Sequence, residues 1–189
     1  MNTLKNLALA GTVASLALVS SVAHAQNKRG NTYLGVKGGI YFPTNSEIRD
    51  IFGSDLVVIG VSVDDFSRQA DKWRLTADFD FITGKDGDDK FFAMPVTASV
   101  GRVFGNPEDS FRPYVRFGAG AAYFDYSITR PSTLERFQEK KFGLSATAEA
   151  GFFVGQRLRV SAKYVWFSKV DDFDFSGLQL TATFNLIRF

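Results

Sequence analysis

Ionisable side chains recur at alternate positions in several segments of this chain, in phase with other polar residues. Between Trp73 and Ile82, the residues Arg74, Asp78 and Asp80 alternate with apolar ones. The same phase in four further segments holds Lys37, Arg116, Glu149, Arg159 and Lys163. Carboxylates beside ammonium and guanidinium groups form ion pairs, so these eight residues predict a charge network on one face of a sheet.

Catalysis by a histidine base or a cysteine nucleophile is not expected. The single histidine is His24, and the chain has no cysteine. A His–Ser or Cys–His pair and the usual zinc or iron ligand sets are therefore absent beyond residue 24. We expect no catalytic residues, no cofactor and no metal site, and hence no enzymatic activity.

Two acidic runs offer carboxylates that could bind calcium or bridge cations to lipopolysaccharide. They are KDGDDK at 85–90 and VDDFDF at 170–175. Neither has the twelve-residue spacing of a calcium-binding loop. Solvated loops are the simpler interpretation.

The first 25 residues are predicted to be a secretory signal peptide. Lys5 precedes an apolar run from Leu7 to Val19, and Ala23 and Ala25 form the small-residue pattern of a cleavage site. The run is shorter than the roughly 20 residues of a membrane-spanning helix. We expect residues 26–189 to form one exported domain.

The balance of 22 basic and 20 acidic residues, without a basic run, indicates that nucleic acid is not a partner of this protein.

Period-two alternation predicts an all-β chain with one short helix at 45–52. Short turns, in FGNPEDSF and VGQR, alternate with longer connections at 43–54, 129–140 and 170–174. Eight strands place both chain ends on one side of an antiparallel up-and-down barrel. The strands are predicted at about 31–42, 55–64, 72–83, 90–104, 111–128, 141–155, 157–169 and 175–188.

The alternation permits two opposite barrels. A soluble, lipocalin-like periplasmic carrier buries the apolar face, whereas an outer-membrane barrel turns that face to lipid and encloses the charges in its lumen. Three features favour the membrane barrel. Its apolar faces cover a band of about 25 Å. Its polar phase is rich in glycine, at Gly35, Gly39, Gly118, Gly120, Gly143 and Gly151. Aromatic residues near strand ends predict lipid-facing girdles, at Phe42, Trp73, Phe91, Phe92, Tyr123, Phe124, Phe142, Phe152, Trp166 and Phe167.

Three segments resemble the small eight-stranded outer-membrane barrels of the OmpA, OmpX and OmpW type. They are FRPYVRFGAGAAY, VGQRLRVSAKYVWFS and the terminal LQLTATFNLIRF. The resemblance implies an outer-membrane location, contact with lipid and lipopolysaccharide, and recognition of the terminal Phe189 by the barrel-assembly machinery. It also implies a structural or surface-interaction role through the outer loops, with at most minor solute passage. An OmpW-like channel for small hydrophobic molecules, with residues 43–54 in a lateral gate, is the alternative.

Three points stay open in the sequence. Counting back from Phe189 in steps of two breaks the apolar series at Asn185, so either a bulge lies near Asn185 or the last residues leave the ladder. Pro95 lies within a strand and predicts a second bulge. The lumen charges form either a structural plug of ion pairs or a gated polar path, and the narrow interior of eight strands favours the plug.

Overall fold

The computed structural model describes residues 33–64, 73–106, 108–130, 133–155 and 157–188. The predicted signal peptide, residues 1–25, and the terminal Phe189 lie outside the described residues. Within these ranges, no helix is both long enough and apolar enough to cross a bilayer.

Eight antiparallel strands form a closed barrel, as predicted. Each strand pairs with its neighbours in sequence, and β1 pairs with β8 to close the sheet. The elements in chain order are β1 (Tyr33–Pro43), α1 (Ser46–Phe52), β2 (Leu56–Asp64), β3 (Arg74–Asp86), β4 (Asp89–Val103), β5 (Phe111–Thr129), β6 (Arg136–Val154), β7 (Leu158–Phe167) and β8 (Gly177–Arg188).

The two ends of the barrel differ in their connections. We call the end that carries α1 and residues 133–135 and 168–176 the loop end, and the opposite end, where β1 begins and β8 finishes, the terminal end. The expected regular alternation of short turns and long loops is wrong at one point. At the loop end, β3 and β4 are joined by only Gly87 and Asp88, with Gly87 at a φ of 53° that favours glycine.

The longest hairpin extends further than the sequence predicted. The segment 129–140 was expected to be a connection, but β5 and β6 pair as far as Thr129 and Arg136. Charged residues lie on both faces of this part of β6, Arg136 and Lys140 on one and Glu139 and Lys141 on the other, so it lacks the alternation that identifies a strand. Pairing with β5 stabilises it as a strand nonetheless.

The predicted helix is present as α1. The Asn45 side chain accepts a hydrogen bond from the backbone N–H of Glu47 at 2.8 Å and caps the first turn. Ile48, Ile51 and Phe52 are buried on its inner face. The helix therefore packs onto the loop end of the barrel through apolar contacts.

The barrel has the inverted polarity of a membrane protein. The outward-facing Leu75, Leu144 and Leu180 are 48%, 65% and 44% exposed. The inward-facing Arg116 and Lys163 are 2% and 3% exposed. The soluble-carrier alternative, which required the opposite arrangement, is wrong.

Glycine in the inward phase lets neighbouring strands crowd the narrow interior. A Cβ at Gly120 would lie 1.9 Å from the Val96 carbonyl oxygen, closer than any side chain tolerates. The outward-facing Gly38 has no heavy atom within 4 Å of an added Cβ. The inside of the barrel is therefore filled to contact, whereas its outer surface is open.

A bulge in β8 resolves the broken phase near Asn185. Leu34 pairs with Ile187 while Gly35 pairs with Asn185, so Leu186 is the extra residue. Leu186 and Ile187 both face outward, at 58% and 51% exposed.

The prediction of a second bulge, at Pro95, is wrong. The β3–β4 ladder is interrupted between its Phe79–Val96 and Ile82–Ala93 pairs, but its register is the same on both sides. Pro95 lacks an N–H group, and the strands tolerate this lost bond without an inserted residue.

Candidate functional site

The middle of the lumen holds a layer of buried ion pairs. The Lys37 ammonium lies 2.9 Å from Asp78 Oδ1 and 2.5 Å from Asp80 Oδ1. Lys163 forms a second ion pair with Asp80, from the opposite side of the barrel. Strands β1, β3 and β7 are therefore connected through the interior by their charged side chains.

Arg116 connects two carboxylates in this layer. Its Nη2 lies 2.7 Å from Asp78 Oδ2, and its Nη2 and Nε both donate to Glu149 Oε2, the latter at 3.1 Å. Its Nη1 donates to Thr76 Oγ1 at 3.2 Å. The hydroxyl of Tyr114 donates to Glu149 Oε1. Both oxygens of Glu149 thus have partners, as a buried carboxylate requires.

The two remaining residues of the predicted network lie at its edges. Arg159 donates to Ser62 Oγ at 3.0 Å, and its guanidinium lies 5.7 Å from the centre of the Tyr114 ring, next to Glu149. Arg74 is half-buried near the terminal end of β3, opposite Gly101. The ion pairs described above therefore join Lys37, Asp78, Asp80, Arg116, Glu149 and Lys163, with Arg159 beside them and Arg74 further toward the terminal end.

An aromatic plug fills the lumen between the charge layer and the loop end. At its centre, the Phe175 ring stacks on Phe91 at 4.7 Å and on Phe124 at 5.5 Å. Tyr126 and Phe173 lie against the same ring at 5.4 and 5.9 Å. The Tyr41 hydroxyl donates to the Phe175 carbonyl and fixes the 168–176 connection inside the barrel. We call these rings, together with Phe52 and Phe167, the aromatic plug.

Three residues assigned to lipid-facing girdles belong to this plug or line it. Phe91, Phe124 and Phe167 are at most 2% exposed and point into the lumen. The phase of the charged residues contains the signal for this, because steps of two from Lys163 reach Val165 and Phe167. Trp73, Phe142 and Trp166 face outward as predicted and are 53%, 68% and 46% exposed.

The sequence also left Arg112 out of the charge network. It is 2% exposed, and its guanidinium lies 5.3 Å from the centre of the Phe153 ring. Arg112 shares the phase of Tyr114 and Arg116, so period-two counting from Arg116 would have identified it. It extends the polar interior toward the terminal end.

The loop end is held together by a second set of contacts above the plug. Asp171 accepts hydrogen bonds from Lys141 and from the Tyr126 hydroxyl. These bonds, that from Lys141 first, lower the pKa of Asp171 below its usual value. The Arg130 guanidinium lies over the rings of Phe137 and Phe173, at 4.9 and 4.8 Å. It also forms an ion pair with Glu47 of α1 at 2.9 Å. The helix, the hairpin and the 168–176 connection therefore form one surface.

The carboxylates of the two acidic runs make contacts within the loops and hairpins of the described part of the chain. No group of three or more candidate metal ligands is present there. In VDDFDF the two phenylalanines are buried in the plug, and Asp174 accepts a hydrogen bond from the Ser176 N–H at 2.9 Å. In KDGDDK, Asp89 accepts from the Thr129 N–H at 3.0 Å. These acids stabilise loops and hairpins.

Residues 11–185 match the family described as outer membrane protein beta-barrel domain. The chain belongs to this family. Together with the outward apolar faces, this establishes an eight-stranded barrel of the outer membrane, whose surface contacts the lipid of that membrane. No match was found among curated proteins.

Solved structures of other outer-membrane barrels are similar in fold. PagL, an outer membrane enzyme, superposes with a TM-score of 0.59 at 14% identity, over 80% of this chain and 99% of PagL. Neisserial surface protein A gives 0.57 at 13% identity, over 82% and 97%. The attachment invasion locus protein Ail of Yersinia pestis, crystallised with the heparin analogue sucrose octasulfate, gives 0.50 at 16% identity, over 85% and 99%. At these identities the likeness concerns the fold alone.

Proposed function

We propose that this member of the outer-membrane barrel family is a non-enzymatic, non-conducting barrel whose loop end faces the cell exterior and acts as an interaction surface. The observation that carries the proposal is the filling of the lumen by two different layers in series. A solute passing through would have to displace the aromatic plug and then the ion pairs around Asp78 and Asp80. Either step costs several kcal/mol, because it removes packing or leaves buried charges without partners.

The charge layer is best explained as a structural plug. Each carboxylate contacts at least one cation and is nearly inaccessible to solvent. An open polar path would leave some of these groups facing a continuous column of water. The eight predicted residues are therefore proposed to stabilise the closed barrel rather than to select ions.

The channel for small hydrophobic molecules has no specific support. Its lateral gate was placed in residues 43–54, but α1 packs there with Ile48, Ile51 and Phe52 buried. A gate of this kind would expose three large apolar side chains on opening. The absence of a histidine beyond His24 and of any cysteine argues against enzymatic activity of the usual kinds.

The long hairpin at the loop end supports the proposal of a ligand-binding surface there. The hairpin of β5 and β6 extends beyond its neighbours, and Arg130 ties it to α1 and to the 168–176 connection. An ordered, mixed-charge surface of this kind suits binding better than a set of independent loops does. The crystallisation of Ail with a heparin analogue supports a surface ligand for barrels of this fold.

Assembly of the barrel is proposed to depend on Phe189. The bulge at Leu186 lets the outward series Leu178, Leu180 and Phe184 continue to Ile187, two positions before Phe189. We expect deletion of Phe189 to lower the folded fraction in cells while leaving refolding in detergent unchanged. Equal loss in both settings would point to stability instead of recognition by the assembly machinery.

Planar-bilayer recording of the purified protein tests the proposed closed state. We expect no unitary conductance above the bare-membrane background. Reproducible channel steps from the heat-modifiable, folded protein would contradict the proposal.

A further inference from the structure

Two lysines near the tip of the β3–β4 hairpin lie directly opposite each other on the outer face of the barrel. Lys85 pairs with Lys90 in the register of the two strands. Side chains in such a pair have Cβ atoms about 4.5 to 5.5 Å apart, so the two ammonium groups can reach the same point. Like charges in this arrangement lower the stability of a sheet. An anion bound between the two lysines would remove this repulsion.

Strand alternation separates the two lysines from the carboxylates of the same acidic run. Lys85 and Lys90 are exposed and belong to the outward phase of β3 and β4. Asp86 and Asp89 pair with each other and belong to the inward phase. Asp89 also accepts hydrogen bonds from the N–H and the hydroxyl of Thr129, both at 3.0 Å. The hairpin therefore directs its two ammonium groups away from these two carboxylates.

Arg136 of β6 adds a third positive charge beside the lysine pair. Lys90 lies opposite Ser127 of β5, whose hydroxyl accepts hydrogen bonds from Arg136 Nη2 at 2.9 Å and from its Nε at 3.2 Å. The Asp88 carbonyl accepts a further bond from Nη2 at 3.3 Å. Both acceptors are neutral, so they hold the guanidinium in place without cancelling its charge. Arg136 therefore contributes an electrostatic field, and direct bonds to an anion would come from Lys85 and Lys90.

The outward-facing carboxylate on the next strand is paired with a different lysine. Asp125 of β5 lies opposite Phe92, and its Oδ2 lies 2.9 Å from the Lys140 ammonium. We call Lys85, Lys90 and Arg136 the basic flank. Among the described residues, none of these three cations forms an ion pair. Even if the carboxylate of Asp88 in the turn faces the same side, the basic flank keeps an excess of positive charge.

The basic flank lies at the depth of the lipid headgroups. Thr83 and Phe92 form the next outward-facing pair below Lys85 and Lys90, roughly 7 Å along the strands. The Phe92 ring packs on the outward-facing Phe81 ring with their centres 6.1 Å apart. Aromatic residues near strand ends mark the boundary between the hydrocarbon and the headgroups. The positive charges just above this boundary lie where membrane lipids carry their phosphates.

We propose that Lys85 and Lys90 together bind a phosphate group of a lipid in the outer leaflet, with the charge of Arg136 favouring the same anion. Ammonium groups donate strong, charge-assisted hydrogen bonds to phosphate oxygens. Basic side chains close to an anionic membrane surface are attracted to it. The choice of leaflet rests on the proposed orientation of the loop end toward the cell exterior, whereas the phosphate site itself does not.

A single charge removal tests the site. Lys90→Gln removes a charge from the basic flank, and Lys169→Gln, in the exposed part of the 168–176 connection, removes one elsewhere at the same end. The probe is lipid A with both of its phosphates, and the control lipid is lipid A without them. Native mass spectrometry in micelles of a maltoside detergent, which contains no phosphate, measures the dissociation constant of the first bound lipid. A heat-shift gel first verifies the fold of each variant.

We expect Lys90→Gln to bind phosphorylated lipid A at least fivefold more weakly than the wild type, and Lys169→Gln and Lys90→Arg to bind it within twofold of the wild type. Equal weakening in Lys90→Gln and Lys169→Gln would overturn the inference, because it would show attraction to the overall charge. Equal affinity of the wild type for lipid A with and without phosphates would also overturn it. Millimolar inorganic phosphate should leave binding unchanged, and its displacement of lipid A would assign the site to free phosphate instead of a lipid.

Urea unfolding gives a second reading, in which the order of stability should reverse. In maltoside micelles alone, Lys90→Gln should be as stable as the wild type or more stable, because its repulsion with Lys85 is gone. After addition of phosphorylated lipid A, the wild type should become the more stable protein, since the lipid binds its folded state more tightly. The same order of stability with and without the lipid would contradict a phosphate site between the two lysines. Neither reading depends on conductance or orientation, so failure here and failure of the closed barrel are distinguishable.

Discussion

Arg116 and Glu149 lie directly opposite each other on β5 and β6, and the guanidinium donates two hydrogen bonds to one carboxylate oxygen. The second oxygen accepts from Tyr114. This pair joins the two longest strands of the barrel at the level of the charge layer. Since both residues are buried, removing either side chain takes a partner from the buried charge of the other and destabilises the folded barrel.

Replacing Glu149 with leucine should destabilise the barrel by about 3 to 5 kcal/mol, because Arg116 loses a partner and Tyr114 loses its acceptor. Urea unfolding in lipid vesicles measures the change. Glu149→Gln is the matched control and should cost less, since its amide oxygen still accepts hydrogen bonds. A double variant, Arg116→Met with Glu149→Leu, should recover part of the loss, since it removes the guanidinium that lost its partner but also takes one of the two cations from Asp78. An unchanged unfolding midpoint for Glu149→Leu would show that the charge layer does not stabilise the fold.

Replacing Phe175 with alanine should cost about 3 to 5 kcal/mol and leave the bilayer conductance at background. The ring contacts Phe91, Phe124 and Tyr126, so its removal leaves a cavity in the plug. Phe184→Ala is the control. Phe184 faces outward, where lipid tails fill the space, so its loss should cost less. Channel steps in Phe175→Ala alone would mean that the charge layer does not close the lumen by itself.

Replacing Gly120 or Gly38 with alanine adds the same methyl group to the inner or the outer face of the barrel, and comparing the two variants tests how crowded the interior is. Gly120→Ala places a methyl group against the Val96 carbonyl and should abolish or strongly impair folding. Gly38→Ala meets open space and should be neutral, or stabilising by up to about 1 kcal/mol, because glycine is costly within strands. Heat-shift gels and urea unfolding compare the two. Equal effects would contradict the assignment of inner and outer faces.

The contact between Asp171 and Lys141 should make the 168–176 connection sensitive to acid. Hydrogen bonds from Lys141 and Tyr126 lower the pKa of Asp171, so the carboxylate stabilises the folded connection above its unfolded pKa of about 4. That contribution is lost as the pH falls through the lowered pKa. Protection of the Phe173 amide, which donates to the Val170 carbonyl at 2.9 Å, reports the effect.

We expect the protection of Phe173 to be constant from neutral pH to about pH 4 and to fall at lower pH. Asp171→Asn should be less protected at neutral pH and should lack this pH dependence. Identical profiles for the two proteins would show that the ion pair contributes nothing to the order of the connection.

The two-residue alternation of apolar and polar side chains alone predicts much of the barrel. The alternation in β3, β6, β7 and β8 places apolar and polar side chains on opposite faces, so only two barrels are possible, one with the apolar face inside and one with it outside. Glycine in the charged phase then selects the membrane barrel, because only a crowded interior needs it. The broken series near Asn185 likewise predicted a bulge as one of two solutions, and the structure has it at Leu186.

The features that the sequence missed depend on contacts between distant segments. Phe91 and Phe124 were predicted to be girdle residues, because the sequence near a strand end is the same whether an aromatic ring faces lipid or the aromatic plug. Phe173 and Phe175 read as part of an acidic loop, since nothing local shows that this loop enters the lumen. At Pro95 the expected bulge is missing, because closure of the barrel fixes the register on both sides of the lost bond.

The most direct test of the inverted polarity uses paired spin labels on neighbouring residues of β8. The chain has no cysteine, so Leu180→Cys and Thr181→Cys can each be labelled without a background. In lipid bilayers, we predict that the label at 180 is accessible to oxygen dissolved in the hydrocarbon, whereas the label at 181 is accessible neither to oxygen nor to a water-soluble nickel complex. High oxygen accessibility at 181 and low accessibility at 180 would contradict the account.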